Sequence, residues 1–356
     1  MKNSIYSHLI LSAIVLPASL LITQSVEARS VSNMKHQVFQ KGMCYATWDN
    51  DAFLGKRSDE SLKAMLDTGA NCVQIVVTWY QDTFNSTYIK ASEERTPSDK
   101  SIEHVIKKAH EYGLSVMLKP HIDLIKSDGN SRGDIGFSSE EDWDTWFNEY
   151  LVFIKHYARI AQKYKVEFFC IGTELSYAAA QTDAWVNKII PAVRKIYSGK
   201  ITYAANWDSY KNVEFWSELD FAGIDAYFPL YVSDNPTVGE IKSAWEKWVT
   251  EIEAWQKDIK KSVVFTECGY SSADSAAKKP WEEVSSGSPN FELQANCYMA
   301  LMETFCGKPY FKGLYWWKWN TYARSNAGFN LSFSPQNKPA IDCIQLWNDQ
   351  SIFSVY

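Results

Sequence analysis

Short apolar runs alternate with amphipathic stretches along this chain, and the alternation repeats eight times. The apolar runs fall at 39–47, 72–79, 115–121, 166–173, 201–206, 221–227, 263–266 and 313–319. Each is short and rich in Val, Ile, Phe or Tyr, the composition of strands buried on both faces. Between and after them, helical patterns occupy 58–68, 98–112, 139–164, 182–197, 211–217, 238–258, 290–305 and 339–347. Several open on capping residues: Ser98-Asp99-Lys100 leads one, and Ser139-Glu140-Glu141-Asp142 places acids in a first turn, where the helix dipole favours them. Strand followed by helix, eight times over, predicts an α/β chain folded as a closed parallel (β/α)8 TIM barrel. An open doubly wound sheet would need a glycine-rich phosphate loop after its first strand. The segment Gly42-Met43-Cys44-Tyr45-Ala46-Thr47-Trp48-Asp49 has no Gly-x-Gly-x-x-Gly.

Composition bounds the rest. Of 356 residues, 46% are hydrophobic and 22% charged, enough apolar material for one large core. No low-complexity linker divides 29–356, so that span reads as one domain, and the Ser-, Ala-, Lys- and Gly-rich stretch 271–289 reads as a long loop after the seventh strand. Residues 1–28 read as a secretory signal: Lys2, an apolar run from Leu9 to Ile22, then Val26-Glu27-Ala28 ahead of cleavage. That run is shorter than the ~20 residues a bilayer span needs. The mature protein is expected to be secreted or periplasmic, with no membrane contact after cleavage. A net charge of −6 without blocks of Lys or Arg argues against nucleic acid or acidic lipid as partner. Of the seven cysteines, Cys44, Cys72, Cys170 and Cys268 lie in or beside strand-like runs and read as buried thiols, while one pair among Cys297, Cys306 and Cys343 is open to oxidation. No Cys-x-x-Cys or His-x-x-x-His spacing offers a metal site, so neither metal nor cofactor is expected. A monomer is the default.

In a barrel of this kind the chemistry sits at the C-terminal mouth, so the residues that end each strand carry the information. Two runs end on a glutamate: Val166 to Glu174, and Ser262 to Glu267. A carboxylate at the end of a buried strand is a poor choice for packing. Around the two glutamates, other strand ends supply Trp48, Asp49, Trp79, Tyr80, Lys119, His121, Asp123, Asn206, Trp207, Asp225, Tyr227, Trp317, Lys318, Trp319 and Asn320. Aromatic faces and amides around carboxylates suit a saccharide, whose ring faces are apolar and whose hydroxyls need partners. With 15 Trp and 20 Tyr, the chain has aromatic surface to spare after core packing. Retaining glycosidases use two carboxyl groups about 5–5.5 Å apart, one as nucleophile and one as acid and then base. Most other carboxylates, such as Glu140, Glu141, Glu246, Glu251 and Glu253, fall on amphipathic helices and read as solvated.

The motifs Gly172-Thr173-Glu174-Leu175, Ile224-Asp225-Ala226-Tyr227-Phe228-Pro229-Leu230, Phe265-Thr266-Glu267-Cys268-Gly269-Tyr270 and Gly313-Leu314-Tyr315-Trp316-Trp317-Lys318-Trp319 together resemble glycoside hydrolase family 113, within the clan of retaining barrels. Characterised members of that family are chiefly β-mannanases. The resemblance implies Glu174 as general acid/base, Glu267 as nucleophile and Tyr227 as donor to the nucleophile, with a rim aromatic as the alternative for Tyr227. Most of the clan has Asn before the first glutamate where this chain has Thr173, which removes an amide contact to the sugar 2-hydroxyl; Asn206 is the candidate replacement. Trp317 or Trp319 is expected under the sugar being cleaved, and strand alternation puts the two on one face, with core packing as the alternative for either. His121 reads either as a contact to a substrate hydroxyl or as a structural histidine, and Trp79 and Trp207 as flanking subsites. The leading expectation is an endo-β-1,4-mannanase. The alternatives are a retaining enzyme acting on β-glucan, xylan or a surface glycan, and a carbohydrate-binding barrel without activity.

Overall fold

The computed structural model describes residues 38–322 and 331–349. The signal segment expected at 1–28 lies outside the described residues. Eight strands, β1 (Gln40–Ala46), β2 (Cys72–Gln81), β3 (Ser115–Leu124), β4 (Phe168–Thr173), β5 (Lys200–Asn206), β6 (Ala222–Asp225), β7 (Val263–Cys268) and β8 (Phe311–Asn320), pair in sequence order into a closed barrel. Every pair is parallel, and β8 closes on β1 with Gln40 opposite Gly313 and Tyr45 opposite Trp319. This is the (β/α)8 TIM barrel the alternation predicts.

Helices α1 (Lys56–Ala64), α2 (Asp99–Glu111), α3 (Glu140–Lys163), α4 (Ser176–Ala179), α5 (Thr182–Ala184), α6 (Ile190–Arg194), α7 (Val238–Ile259), α8 (Phe291–Phe305) and α9 (Ala340–Asp349) follow the strands. Ser98 and Ser139 cap α2 and α3 by accepting from the Ser101 and Asp142 N–H groups, and Thr237 with Glu240 forms a capping box on α7. The main core lies between the outward faces of the strands and these helices, where Phe265, Phe305 and Phe311 meet with ring centroids 4.8–5.3 Å apart. A second, smaller cluster of Cys44, Cys72, Met117, Phe221, Val264 and Tyr315 forms its own packed group. Further along the same strands, toward the mouth, the buried residues become polar: Lys119, His121, Asp225, Thr266 and Glu267.

The helical patterning over-reaches in two places. Over 211–217 there is no α-helix, only the 3-10 turns Tyr210–Asn212 and Trp216–Glu218. The apolar residues there fill the core from a folded-back loop, with Trp216 Nε1 donating to the Tyr210 carbonyl at 3.1 Å. Over 182–197 the single expected helix is split by a π-helical turn, Trp185–Ile189, just before α6. Pro191 has no N–H to give to the turn before it, and a widened turn accommodates that loss. The stretch 271–289 is a loop without helix or strand, as expected. All seven cysteines are free thiols, so the pairing left open among Cys297, Cys306 and Cys343 is not formed.

Candidate active site

β4 and β5 fall out of step just before the mouth. Cys170 faces Thr202 but Thr173 faces Ala204, so three steps on β4 match two on β5. Such a bulge bends the strand and re-aims the residue after it. Glu174 is that residue. Its φ of 53° is left-handed, a conformation that costs a non-glycine residue about 1–2 kcal/mol. Two hydrogen bonds hold it there: the Glu174 N–H donates to the Ala204 carbonyl at 2.8 Å, and the Leu175 N–H donates to the Tyr203 hydroxyl at 2.9 Å. The carboxyl group faces the mouth with 21% of the side chain exposed.

β7 carries the second glutamate on a similar irregularity. Ile224 faces Phe265 and Asp225 faces Glu267, so one step on β6 matches two on β7. Glu267 is buried and accepts on both oxygens: Lys119 Nζ donates to Oε1 at 2.7 Å and the Tyr227 hydroxyl donates to Oε2 at 2.8 Å. Both partners suit an acceptor-only carboxylate. Lys119 is itself fully buried and also bridges both oxygens of Asp225, at 2.9 and 3.0 Å, while the Thr266 hydroxyl donates to Asp225 at 2.8 Å. Burial works against the Lys119 charge, but the carboxylates of Asp225 and Glu267 outweigh it and raise its pKa above the ordinary lysine value. Burial, and then the Glu267 charge, push the Tyr227 phenol well up, so Tyr227 stays protonated and available as a donor.

Glu174 sits in a different field. Burial raises its pKa, the Arg132 guanidinium opposes that, and the nearby Glu267 adds to the rise; the net shift is upward. Arg132 comes from the 3-10 turn Arg132–Asp134 after β3, and its Nη1 donates to Glu174 Oε2 at 3.0 Å. Its Nη2 lies 3.4 Å from Asp123 Oδ2.

Both glutamates line one open cleft of about 560 Å3, which Asn206, Tyr227, Trp207 and Trp317 also line. Trp207 stacks on Trp281, centroids 5.6 Å apart and planes at 11°, and Trp48 meets Trp317 edge-on at 6.3 Å, with Lys318 Nζ 4.5 Å above the Trp48 ring. The cleft therefore has two aromatic walls.

Three sequence candidates stand elsewhere. His121 is buried behind Glu267, with Nε2 3.8 Å from Oε1; burial first, then the Arg132 and Lys119 cations, drive its pKa well down and leave a neutral ring. Trp79 turns outward, donates to the Tyr157 hydroxyl at 2.6 Å and packs on Phe153, so it is not a cleft residue. Trp319 does not share a face with Trp317. Met43 faces Trp316 and Tyr45 faces Trp319, so two steps on β1 match three on β8, and the extra residue breaks the alternation. Trp319 is turned away and gives its indole N–H to the Ser61 carbonyl at 2.9 Å. The strand-end reading missed Arg132, Trp281, Glu283 and Phe333, which reach the cleft from loops. Only the length of the 271–289 loop hinted at two of them.

A parallel eightfold barrel with carboxylates ending β4 and β7, set between aromatic walls, has the architecture of a sugar-cleaving enzyme. The family model for Glycoside Hydrolase Family 113 matches residues 43–338, and the chain belongs to that family. It is a glycoside hydrolase. Among solved structures it is similar to the GH113 β-mannanase AaManA from Alicyclobacillus acidocaldarius, in complex with ManMIm, with TM-score 0.81 and 27% identity over 89% of this chain and 99% of that one. A GH113 β-1,4-mannanase aligns with TM-score 0.80 and 29% identity over 88% of this chain and 99% of that one. A family 5 mannosidase from Rhizomucor miehei shares the fold, with TM-score 0.58 and 11% identity over 88% of this chain and 92% of that one. No curated protein matches the sequence.

Two predictions follow from this geometry. Lys119→Met leaves Asp225 and Glu267 buried without their shared cation, which is expected to destabilise the fold by about 3–5 kcal/mol at pH 7. Burial, and then the Glu267 charge, already raise the Asp225 pKa well above the ordinary carboxylate range, and loss of the opposing Lys119 cation raises it further, so the deficit narrows as pH falls; thermal melts of both proteins across pH measure it. Trp317→Ala is expected to raise KM or lower kcat on oligosaccharides with little change in Tm, whereas Trp319→Ala lowers Tm and leaves the kinetics of the folded enzyme close to wild type. Steady-state assays paired with calorimetry separate the two.

Proposed function

We propose that this protein is an exported, retaining endo-β-1,4-mannanase in which Glu267 is the nucleophile and Glu174 the general acid/base. The observation that carries the reading is the contrast between two carboxyl groups in one cleft. Glu267 has a hydrogen-bond donor on each oxygen, whereas burial pushes the Glu174 pKa upward. That contrast is what a double displacement requires.

In the first step a Glu267 oxygen bonds to the anomeric carbon as the glycosidic C–O bond breaks, and the departing oxygen takes the Glu174 proton. In the second step water attacks the same carbon and gives a proton back to Glu174, and the bond to Glu267 breaks. Tyr227 and Lys119 stay on Glu267 through both steps, holding the oxygens in place. Asn206, at the end of β5 and lining the cleft, is the proposed contact for the sugar 2-hydroxyl. Trp317 and Trp207 are the proposed stacking surfaces, and the open cleft suits internal cleavage of a chain. Mannan as substrate is supported by family membership and by the two similar GH113 structures, both of β-mannanases. Export is supported by the N-terminal sequence pattern alone.

Incubation with mannan, glucomannan, cellulose, β-glucan and xylan oligosaccharides, with products followed by NMR from the first minutes, tests substrate and stereochemistry together. β-Configured reducing ends from mannan are expected. α-Configured first products would reject the double displacement, and cleavage of another glycan alone would reject the mannanase reading. Glu174→Ala and Glu267→Ala are each expected to lower turnover at least about a hundredfold while retaining the wild-type fold. Azide should rescue Glu267→Ala with inverted configuration, because the small anion enters the space the carboxylate leaves.

A further inference from the structure

The segment after β3 is built to hold one side chain against Glu174. Ser131 and Asp134 close a capping box over the turn: the Ser131 N–H donates to Asp134 Oδ2 at 2.7 Å, and the Gly133 N–H donates to Ser131 Oγ at 3.1 Å. The turn also lies against the Glu174 backbone, since a side chain at Gly133 would stand 3.3 Å from the Glu174 carbonyl oxygen and 3.4 Å from Ser176 Oγ. From this fastened turn Arg132 reaches two carboxyls at once, Glu174 at 3.0 Å and Asp123 at 3.4 Å. The three side chains are only 19%, 21% and 34% exposed for Arg132, Glu174 and Asp123, so these charges act on one another with limited screening by water.

A guanidinium on a general acid is a paradox, because a cation there favours the ionised form and discourages proton donation. The second carboxylate resolves it. We propose that Arg132 and Asp123 form a positioning pair in which the guanidinium moves between two carboxyls, leaning on Glu174 when Glu174 is ionised and on Asp123 when Glu174 carries its proton. At 3.0 and 3.4 Å the guanidinium is within reach of both carboxyls, which is the geometry such an exchange needs. In the second, Asp123 keeps Arg132 paired, so loss of the Glu174 charge leaves no bare cation in the cleft. Neither residue forms or breaks a bond to substrate. The proposal rests on the acid/base reading of Glu174. The other charged and titratable groups around Glu174 are Lys119 and His121 on β3, Tyr203 on β5, Asp225 on β6, Tyr227 beyond it and Glu267 on β7, with Asp208 and Glu283 lining the same cleft. Their side chains are kept in every variant of the pair, but His121 also feels the Arg132 charge, so the Glu174 carboxyl is read by its own signal rather than from the rate alone.

The two partners should act with opposite sign. Arg132→Met removes the cation and is expected to raise the Glu174 titration by about one pH unit or more, carrying the alkaline limb of kcat/KM upward with it. Asp123→Asn removes the competing carboxylate, hands Arg132 wholly to Glu174, and is expected to move both downward. Arg132→Lys keeps the charge and should stay closest to wild type. The Glu174 carboxyl is read directly by 13C NMR on glutamate-labelled enzyme, assigned by its loss in Glu174→Gln, beside pH–rate profiles on mannan oligosaccharides. If Arg132→Met does not fold, the near-isosteric Asp123→Asn still decides the sign. A Glu174 resonance that stays put in Asp123→Asn, or moves upward, overturns the pair and leaves the acid/base reading standing. A resonance that moves as expected while the rate profile does not overturns the acid/base reading, and the pair's role in the cycle with it.

Discussion

A single buried ammonium group organises the mouth of this barrel. Lys119 is sealed from water on the inner side of β3, between Asp225 from β6 and Glu267 from β7. None of the three would be tolerable alone, since an unpaired charge in that position costs several kcal/mol. Together they tie strands that are not neighbours, β3 to β6 and β7, across the barrel interior. The Tyr227 and Thr266 hydroxyls each donate to one of the two carboxylates, Tyr227 to Glu267 and Thr266 to Asp225. A fully satisfied polar network of this kind fixes one arrangement of side chains, which a layer of Val and Leu would not. Glu267 is therefore held in place by the same contacts that keep the upper layer of the barrel in register.

The second glutamate is positioned by backbone geometry instead. Pairing slips on β4 ahead of Glu174, on β7 at Glu267 and on β8 around Trp317, and each slip lies where a strand delivers a cleft residue. A regular barrel strand would point alternate side chains in and out to its very end. A bulge lets one residue escape that alternation, which explains why Trp316 and Trp319 both pack away from the cleft while Trp317 lines it. The left-handed backbone at Glu174 is the most demanding case, and the hydrogen bonds from its own N–H and from Leu175 offset the conformational cost.

These irregularities mark the limit of what the sequence discloses. Hydrophobic periodicity depends on regular repetition, so it locates all eight strands within a few residues and places both glutamates at strand ends. It cannot register a single inserted residue, and so it pairs Trp317 with Trp319 on one face. Trp79 misleads for a related reason: a tryptophan near a strand end looks the same in sequence whether it points inward or out to Tyr157. Arg132 and Trp281 are invisible to a strand-end search because loops deliver them, and no periodicity governs a loop. The pattern over 211–217 fails differently, since apolar residues at near-helical spacing can also fill a core from 3-10 turns.

The division between barrel and loops also separates two kinds of function. The residues proposed for the chemistry, and those that hold them, belong to the strands: Glu267, Lys119 and Asp225 lie on them, and Glu174 lies one residue beyond β4, where the closed ring of hydrogen bonds leaves little freedom. The surfaces that a sugar chain would meet first, Trp48 and Trp281, are loop residues and are 37% and 48% exposed. Their partners Trp317 and Trp207 sit on or just beyond strands β8 and β5, so each aromatic wall has one anchored ring and one ring on a longer tether. A change of sugar chain would then call for new loops around an unchanged barrel. Arg132 crosses this division, because a loop residue there touches a carboxyl that a strand delivers. If any loop can alter the proton chemistry of this site without disturbing the barrel, it is the one between β3 and α3.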